Sequence, residues 1–279
     1  MKTYLDCYPC FMEQALRTSR VATNDKKKIK KILDETGAMI KNMPMENTPA
    51  ESGMLVYNKI KEITGVADPY FNIKQQHIKE AKTLLPEMEA IIENAEDPLL
   101  TAIRIAIAGN VIDLGINKPF NLLEDIKKIL TQEFALFDYE SFKKDLTAAK
   151  NILYIGDNAG ESVFDTLLIK QLKKPVIYAV RSQPVINDVT IKEAIDSGLD
   201  KVSEIIDSGC KAPGVVLSHA TNKFLQVFNN ADLIISKGQG NYEGLSDENN
   251  TIYFLLKAKC SVIASDLNVK EGDIIFKKA

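Results

Sequence analysis

The sequence predicts an α/β protein: a mostly parallel sheet flanked by helices, with an α-helical N-terminal region in front of it. Three observations carry this. Apolar residues recur at spacings of three and four through about the first hundred residues. After about residue 150, short β-branched runs alternate with helical-period segments, the grammar of strand–helix–strand units. Three of those runs pass straight into loops rich in glycine, aspartate, asparagine or lysine, where an open α/β sheet binds its ligands.

Taken in order, CFMEQALRTSRVA, KKKIKKILDETGAMIKNM, ESGMLVYNKIKEITG and IKQQHIKEAKTLLPEMEAIIENA read as helices, with Pro44, Pro49, Gly65 and Pro69 as breakers. The run from Lys26 to Lys31 holds five lysines and reads as a solvated helix start. An apolar segment, PLLTAIRIAIAGNVIDLG, is interrupted by Arg104, Asn110 and Asp113, and NLLEDIKKILTQEF follows as a helix. NILYI, PVIYAV, ADLIIS and CSVIASDL then read as strands. ESVFDTLLIKQL, NDVTIKEAIDS and the second half of GVVLSHATNKFLQVFNNA read as helices. The expected organisation is a helical region over residues 1–95 and an α/β core over 96–279 that binds metal and phosphate.

Composition narrows the function. With 45% hydrophobic and 26% charged residues the chain has ordinary globular usage and enough length for a sizeable core. A net charge of −3 gives no basic footprint for nucleic acid. No apolar run reaches the roughly 18 residues that cross a membrane, and the N-terminus lacks a signal-peptide apolar stretch. A cytoplasmic setting is expected, where thiols stay reduced.

The strand-end loops hold the chemistry. Gly156-Asp157-Asn158-Ala159-Gly160-Glu161 offers a carboxylate and an amide oxygen, hard ligands suited to magnesium or manganese, ahead of a helix start that favours phosphate. Arg181-Ser182 and Asn187-Asp188 follow the second run and add anion-contacting groups and another carboxylate. For Asp157, Asn158, Asn187 and Asp188, helix capping is the competing explanation. Lys237-Gly238-Gln239-Gly240-Asn241 follows the third run and suits a phosphate cradle, with a point charge and exposed backbone N–H groups. A divalent cation, a phosphate-binding lysine and glycine-loop donors together make an inventory for phosphoryl transfer.

GDNAGE-x-VFD, the downstream Asn187-Asp188 and KGQGN-x-E resemble the damage-control phosphatase family, once catalogued as domain of unknown function 89. AGNVIDLG and DPY also look like its motifs, and Cys7-Tyr8-Pro9-Cys10 resembles its archaeal and bacterial branch with an N-terminal CxxC. The resemblance implies a Rossmann-like core and metal-dependent hydrolysis of phosphomonoesters of small metabolites such as sugar phosphates, nucleotides or damaged cofactor phosphates. It puts a metal (Mn2+, Mg2+, Co2+ or Ni2+) on Asp157, Asn158 and Asp188, and catalytic roles on Asp157, Lys237 and Asp113. Substrate contacts fall on Asn110, Glu161, Ser182, Lys237, Gly238 and Asn241, and Glu243 sits in a matching motif.

Cys7 and Cys10 leave packing, metal binding and redox chemistry open, because one CxxC supplies two of the four ligands of a closed zinc site. His77 and His219 read as structural or solvent-facing. Two other functions compete with the phosphatase: a non-enzymatic metal- or metabolite-binding protein, and a methyltransferase using a sulfonium nucleotide. The latter would leave Asp188 and Lys237 without a purpose.

Overall fold

In the computed structural model, residues 1–109 and 122–279 are described. Asn110 and Asp113 therefore lie outside the described residues. Helices α1 (Cys7–Ala22), α2 (Lys26–Ile40), α3 (Pro49–Thr64), α4 (Phe71–Glu93) and α5 (Pro98–Gly109) come first. Asp25 caps α2 by accepting from the N–H groups of Lys27 and Lys28, and the five lysines of its first turns are exposed, as the charge run predicts. Thr48 and Glu51 form a capping box on α3, with Pro49 just inside the helix.

Beyond α6 (Leu122–Thr131), strands and helices alternate: β1 (Phe134–Phe137), α7 (Tyr139–Ala148), β2 (Ile152–Ile155), α8 (Ser162–Leu172), β3 (Val176–Val180), α9 (Ile191–Ser197), β4 (Glu204–Asp207), α10 (Asn222–Asn230), β5 (Leu233–Lys237), α11 (Gly238–Leu245), β6 (Ile252–Lys257), α12 (Ser261–Asp266) and β7 (Ile274–Lys278). The seven strands form one sheet in the order β1-β7-β6-β5-β2-β3-β4. Every neighbouring pair is parallel except β6 and β7. The mostly parallel α/β sheet expected from the sequence is present.

One sequence expectation fails. CSVIASDL is not a strand: its centre is α12, and the strand is the preceding Ile252–Lys257. Val262, Ile263 and Ala264 are consecutively buried, so packing overrides the β preference of the branched pair. Strands β1, β4 and β7 were not expected. β1 and β4 are only four residues long and partly exposed, too short for a clear period.

The sheet separates two cores. On one face α4, α5, α8 and α9 contribute Ile78, Met88, Ile105, Phe164 and Ala194 to a cluster with Tyr154 and Tyr178. On the other, α1, α2 and α3 contribute Phe11, Ile32 and Val56 to a cluster with Leu153, Phe224 and Phe254. The first helices thus share their cores with the sheet. This sets α1 and α3 over the carboxyl ends of β2 and β5, with α3 packed against α11.

Candidate active site

Strand order reverses between β2 and β5: from β2 the chain proceeds to β3 and β4 on one side, and later to β5 and β6 on the other. Such a switch point opens a crevice at the strand ends. The loop after β2 carries Asp157 and Asn158, the loop after β3 carries Asp188, and β5 ends on Lys237.

Backbone pairing joins the first two loops. Asn158 and Asp188 form an isolated antiparallel bridge. The Val189 N–H donates to the Asp157 carbonyl at 2.8 Å, and the Ala159 N–H to the Asn187 carbonyl at 2.9 Å. Neither loop spends these side chains as caps, since α8 is capped at Glu161 and α9 at Thr190 with its Glu193 box. Capping, the competing explanation in the sequence, is excluded by where the helices begin.

Arg181, buried at the end of β3, ties the carboxylates together. Its Nε donates to Asp188 Oδ2 at 2.8 Å and its Nη2 stands 3.8 Å from Asp157 Oδ1. A second donation from Nη2 goes to Asn241 Oδ1 at 3.0 Å. Asn241 also accepts from the Val215 N–H and donates to the carbonyls of Gly156 and Lys237. Its side chain is a buried staple across three loops, not a group turned to a substrate. Ser182 Oγ likewise donates to the carbonyls of Gly209 and Cys210.

Lys237 lies beneath the crevice. It is fully buried, and its ammonium donates to Ala106 O at 2.9 Å, to Asp165 Oδ1 at 2.7 Å and to Glu161. All three N–H bonds are committed, so Lys237 is not placed to hold a phosphate. Asp165 also accepts from Tyr154 at 2.6 Å and Tyr178 at 2.8 Å. Burial opposes charge on Lys237, but the carboxylates of Asp165 and Glu161 outweigh it and hold the ammonium above its ordinary range. Glu161 bridges upward, accepting from Asn158 Nδ2 at 3.3 Å, and Asn158 donates to Asp157 Oδ2 at 3.0 Å. Gly238 backs directly on Asp157: with φ at +77°, a Cβ there would run into the Asp157 carboxylate.

Above this floor is a cavity of about 240 Å³. Asp157, Asn158 and Asp188 line it; Glu161, Ser182, Lys237, Gly238 and Asn241 do not. The sequence reading missed Lys259, which also lines it and whose charge acts on Asp157. Its signal was position, two residues past the end of β6 at the same edge of the sheet. Arg17, Gln239 and Glu243 line the cavity too, as do Cys7, Cys10 and Cys260, brought in by α1 and by the start of α12. Burial raises the Cys7 thiol to about 11 and pushes Cys10 up as well, so both are protonated near neutrality.

Charge is dense at this floor. Among the described residues, the buried charges around it are the carboxylates of Asp157, Glu161, Asp165 and Asp188 and the cations of Arg181 and Lys237, with Lys259 also acting on Asp157; buried Lys74 and Glu193 pair with each other elsewhere. Burial, reinforced by Asp188 and Glu161, pushes the Asp157 carboxyl well above the usual carboxylate range. Buried carboxylates this close together are costly unless cations, protons or hydrogen bonds compensate them. Among the described residues no group of three or more histidine, cysteine, aspartate or glutamate side chains is arranged to chelate an ion. The set on offer is two carboxylates and the Asn158 amide, the sparse oxygen set of an ion that keeps several waters. No helix among the described residues is long and apolar enough to cross a membrane.

Comparison with known proteins shows the family and the fold. The family model for the damage-control phosphatase ARMT1-like domain matches residues 3–275. A damage-control phosphatase of Pyrococcus horikoshii is 33% identical over 282 residues, covering 99% of this chain and 97% of that protein. One from Archaeoglobus fulgidus is 32% identical over 280 residues, covering 97% of each. The crystal structure of a protein of the domain-of-unknown-function-89 family from Pyrococcus horikoshii superposes with a TM-score of 0.91 at 31% identity, over 100% of this chain and 99% of that one. The family model spans nearly the whole chain and the fold superposes over its full length, and the chain belongs to the damage-control phosphatase ARMT1-like domain family.

Proposed function

We propose that the protein is a divalent-metal-dependent phosphatase that hydrolyses phosphomonoesters of small metabolites. The observation that carries this is the convergence of Asp157, Asn158 and Asp188, a set of hard oxygen donors, on the wall of one cavity. Oxygen donors of this kind suit Mn2+, Mg2+, Co2+ or Ni2+. When bound, such an ion neutralises phosphoryl oxygens and makes water a stronger nucleophile at neutral pH.

The chain's own residues do the rest. Arg181 fixes the carboxylates of Asp188 and Asp157 in register with each other. Lys259 is the cation lining the cavity nearest this floor, and we assign it the substrate phosphate. Lys237 acts from below, holding Glu161 and so the Asn158 side chain. The cavity volume suits a small ester, and Phe11, Tyr57 and Val262 give its walls apolar surface for one. The test is phosphate release from sugar phosphates, nucleotides and cofactor phosphates with each metal and with chelator. Asp157→Ala and Asp188→Ala should abolish metal-dependent release while the variants still unfold cooperatively. Full turnover by both variants at limiting metal would overturn the assignment.

A further inference from the structure

α11 leaves the end of β5 with Gly238 against Asp157 and runs outward along the cavity. Gln239, Gly240 and Glu243 fall on its cavity-facing side, at the i, i+1, i+4 positions that share one helix face. Five residues at about 1.5 Å rise place Glu243 roughly 7 Å along the axis from Gly238. Glu243 therefore lines the same cavity as Asp157 and Lys259, further out along α11 than the glycine that backs on Asp157, on the side open to the ester portion of a substrate whose phosphate sat against them.

Resting on the phosphatase reading, we propose that Glu243 is the general acid that gives its proton to the ester oxygen as the P–O bond breaks. The O–P bond from the attacking water forms while the ester P–O bond breaks. The released electron pair stays on the ester oxygen, which takes the Glu243 proton and leaves as the alcohol. The attacking water gives one proton to solvent, solvent returns one to Glu243, and each turnover consumes one water.

The surroundings suit the role. Gln239 Nε2 donates to Glu243 Oε1 at 3.0 Å, which fixes the carboxyl and leaves Oε2 to carry the proton. Among the described residues no lysine or arginine forms an ion pair with it. Burial raises the carboxyl to about 7, against smaller lowering by Gln239 and the N-terminal ammonium. The groups facing it are few. From α1 come the protonated thiols of Cys7 and Cys10, and from the start of α12 comes Cys260, whose Sγ accepts from Gln239 Nε2 at 3.5 Å. From the chain start comes the Met1 ammonium, which donates to the Glu243 carbonyl at 3.3 Å and pairs with Asp247 at 3.0 Å. Asp6, Arg17, Lys259 and the Asp157–Asp188 floor share the cavity.

Leaving-group dependence tests the role, because an acidic phenol needs a proton to depart less than a basic one does. Glu243→Gln keeps the size and polarity of the side chain and removes the transferable proton. With phenyl phosphate the variant should lose about 10²- to 10⁴-fold in kcat, and with p-nitrophenyl phosphate, whose leaving group needs less protonation, it should lose at least about tenfold less than that. The wild-type rate on phenyl phosphate should fall as pH rises past about 7, and the variant should lack that limb. Equal loss on both esters at unchanged melting temperature, or no loss on either, would overturn the proposal. Should Glu243→Gln fail to fold, Glu243→Asp keeps the acid one methylene short. It should lose more on phenyl than on p-nitrophenyl phosphate, and an even loss would overturn the proposal. A wild type inert on both esters with every metal would instead overturn the phosphatase reading.

Discussion

Replacing Lys237 by Met separates two roles that the sequence alone confounds. A lysine touching phosphate would cost turnover and little stability. In the structure its ammonium is fully buried between Glu161 and Asp165, both with fully buried side chains. Lys237→Met strands those two carboxylates and empties the position that supports Asn158. Removing one partner of a buried ion pair costs about 3–5 kcal/mol, because the other charge stays buried and uncompensated. At roughly 2–4 °C per kcal/mol for a chain of this order, melting should fall by about 6–20 °C. Adding Glu161→Gln to Lys237→Met removes one stranded charge, so the double variant should melt above the single one. The assay is thermal unfolding in chelator and again with saturating Mn2+, with phosphate release measured below the lower melting point. A Lys237→Met protein that melts with the wild type yet turns over two orders of magnitude more slowly would refute this burial argument and return the lysine to the cavity.

Gly238→Ala should melt lower than Gly65→Ala and lose divalent-metal affinity: both positions have positive φ, but only at 238 does the added Cβ meet Asp157. Calorimetric Mn2+ binding alongside melting curves checks this, and equal behaviour of the two variants would contradict it. Lys259→Met should lower kcat/KM by about 10- to 100-fold, the worth of a lost charge-assisted hydrogen bond, and weaken inhibition by inorganic phosphate. Its Mn2+ affinity without substrate should hold or rise. Cys7→Ser with Cys10→Ser should leave phosphate release near the wild-type rate, because both thiols are protonated and hydrolysis needs no thiolate. Loss of turnover at unchanged melting temperature and metal content would bring them into the chemistry.

The strand-end loops were legible because their chemistry is local. A glycine-flanked Asp-Asn after LYI and an Asp seven residues past Arg181 read directly as oxygen ligands at strand termini. Side-chain direction was not legible. Lys237 is the last residue of β5, and strand period sends neighbouring side chains to opposite faces. Which face it took depended on sheet register, and it took the face of Tyr154, Asp165 and α5. Asn241 reads as a ligand contact because it closes the glycine loop after Lys237, and Ser182 because it follows Arg181 at a strand end. Their partners, Arg181, Gly156 and Val215 for Asn241 and Gly209 for Ser182, lie far along the chain. Cys7, Lys259 and Glu243 converge on one cavity only through the docking of α1 and α12 on the sheet, and no local spacing encodes that convergence.

The central claim, that Asp157, Asn158 and Asp188 hold one divalent cation used in phosphomonoester hydrolysis, has a direct measurement. Chelator-stripped protein is titrated with Mn2+ while bound metal and phosphate release are followed in the same samples, for the wild type and for Asp157→Asn. The account predicts that wild-type release rises in proportion to occupancy and saturates at one equivalent per chain, and that Asp157→Asn loses both together. Full phosphate release from the stripped protein, unchanged as Mn2+ binds, would contradict it.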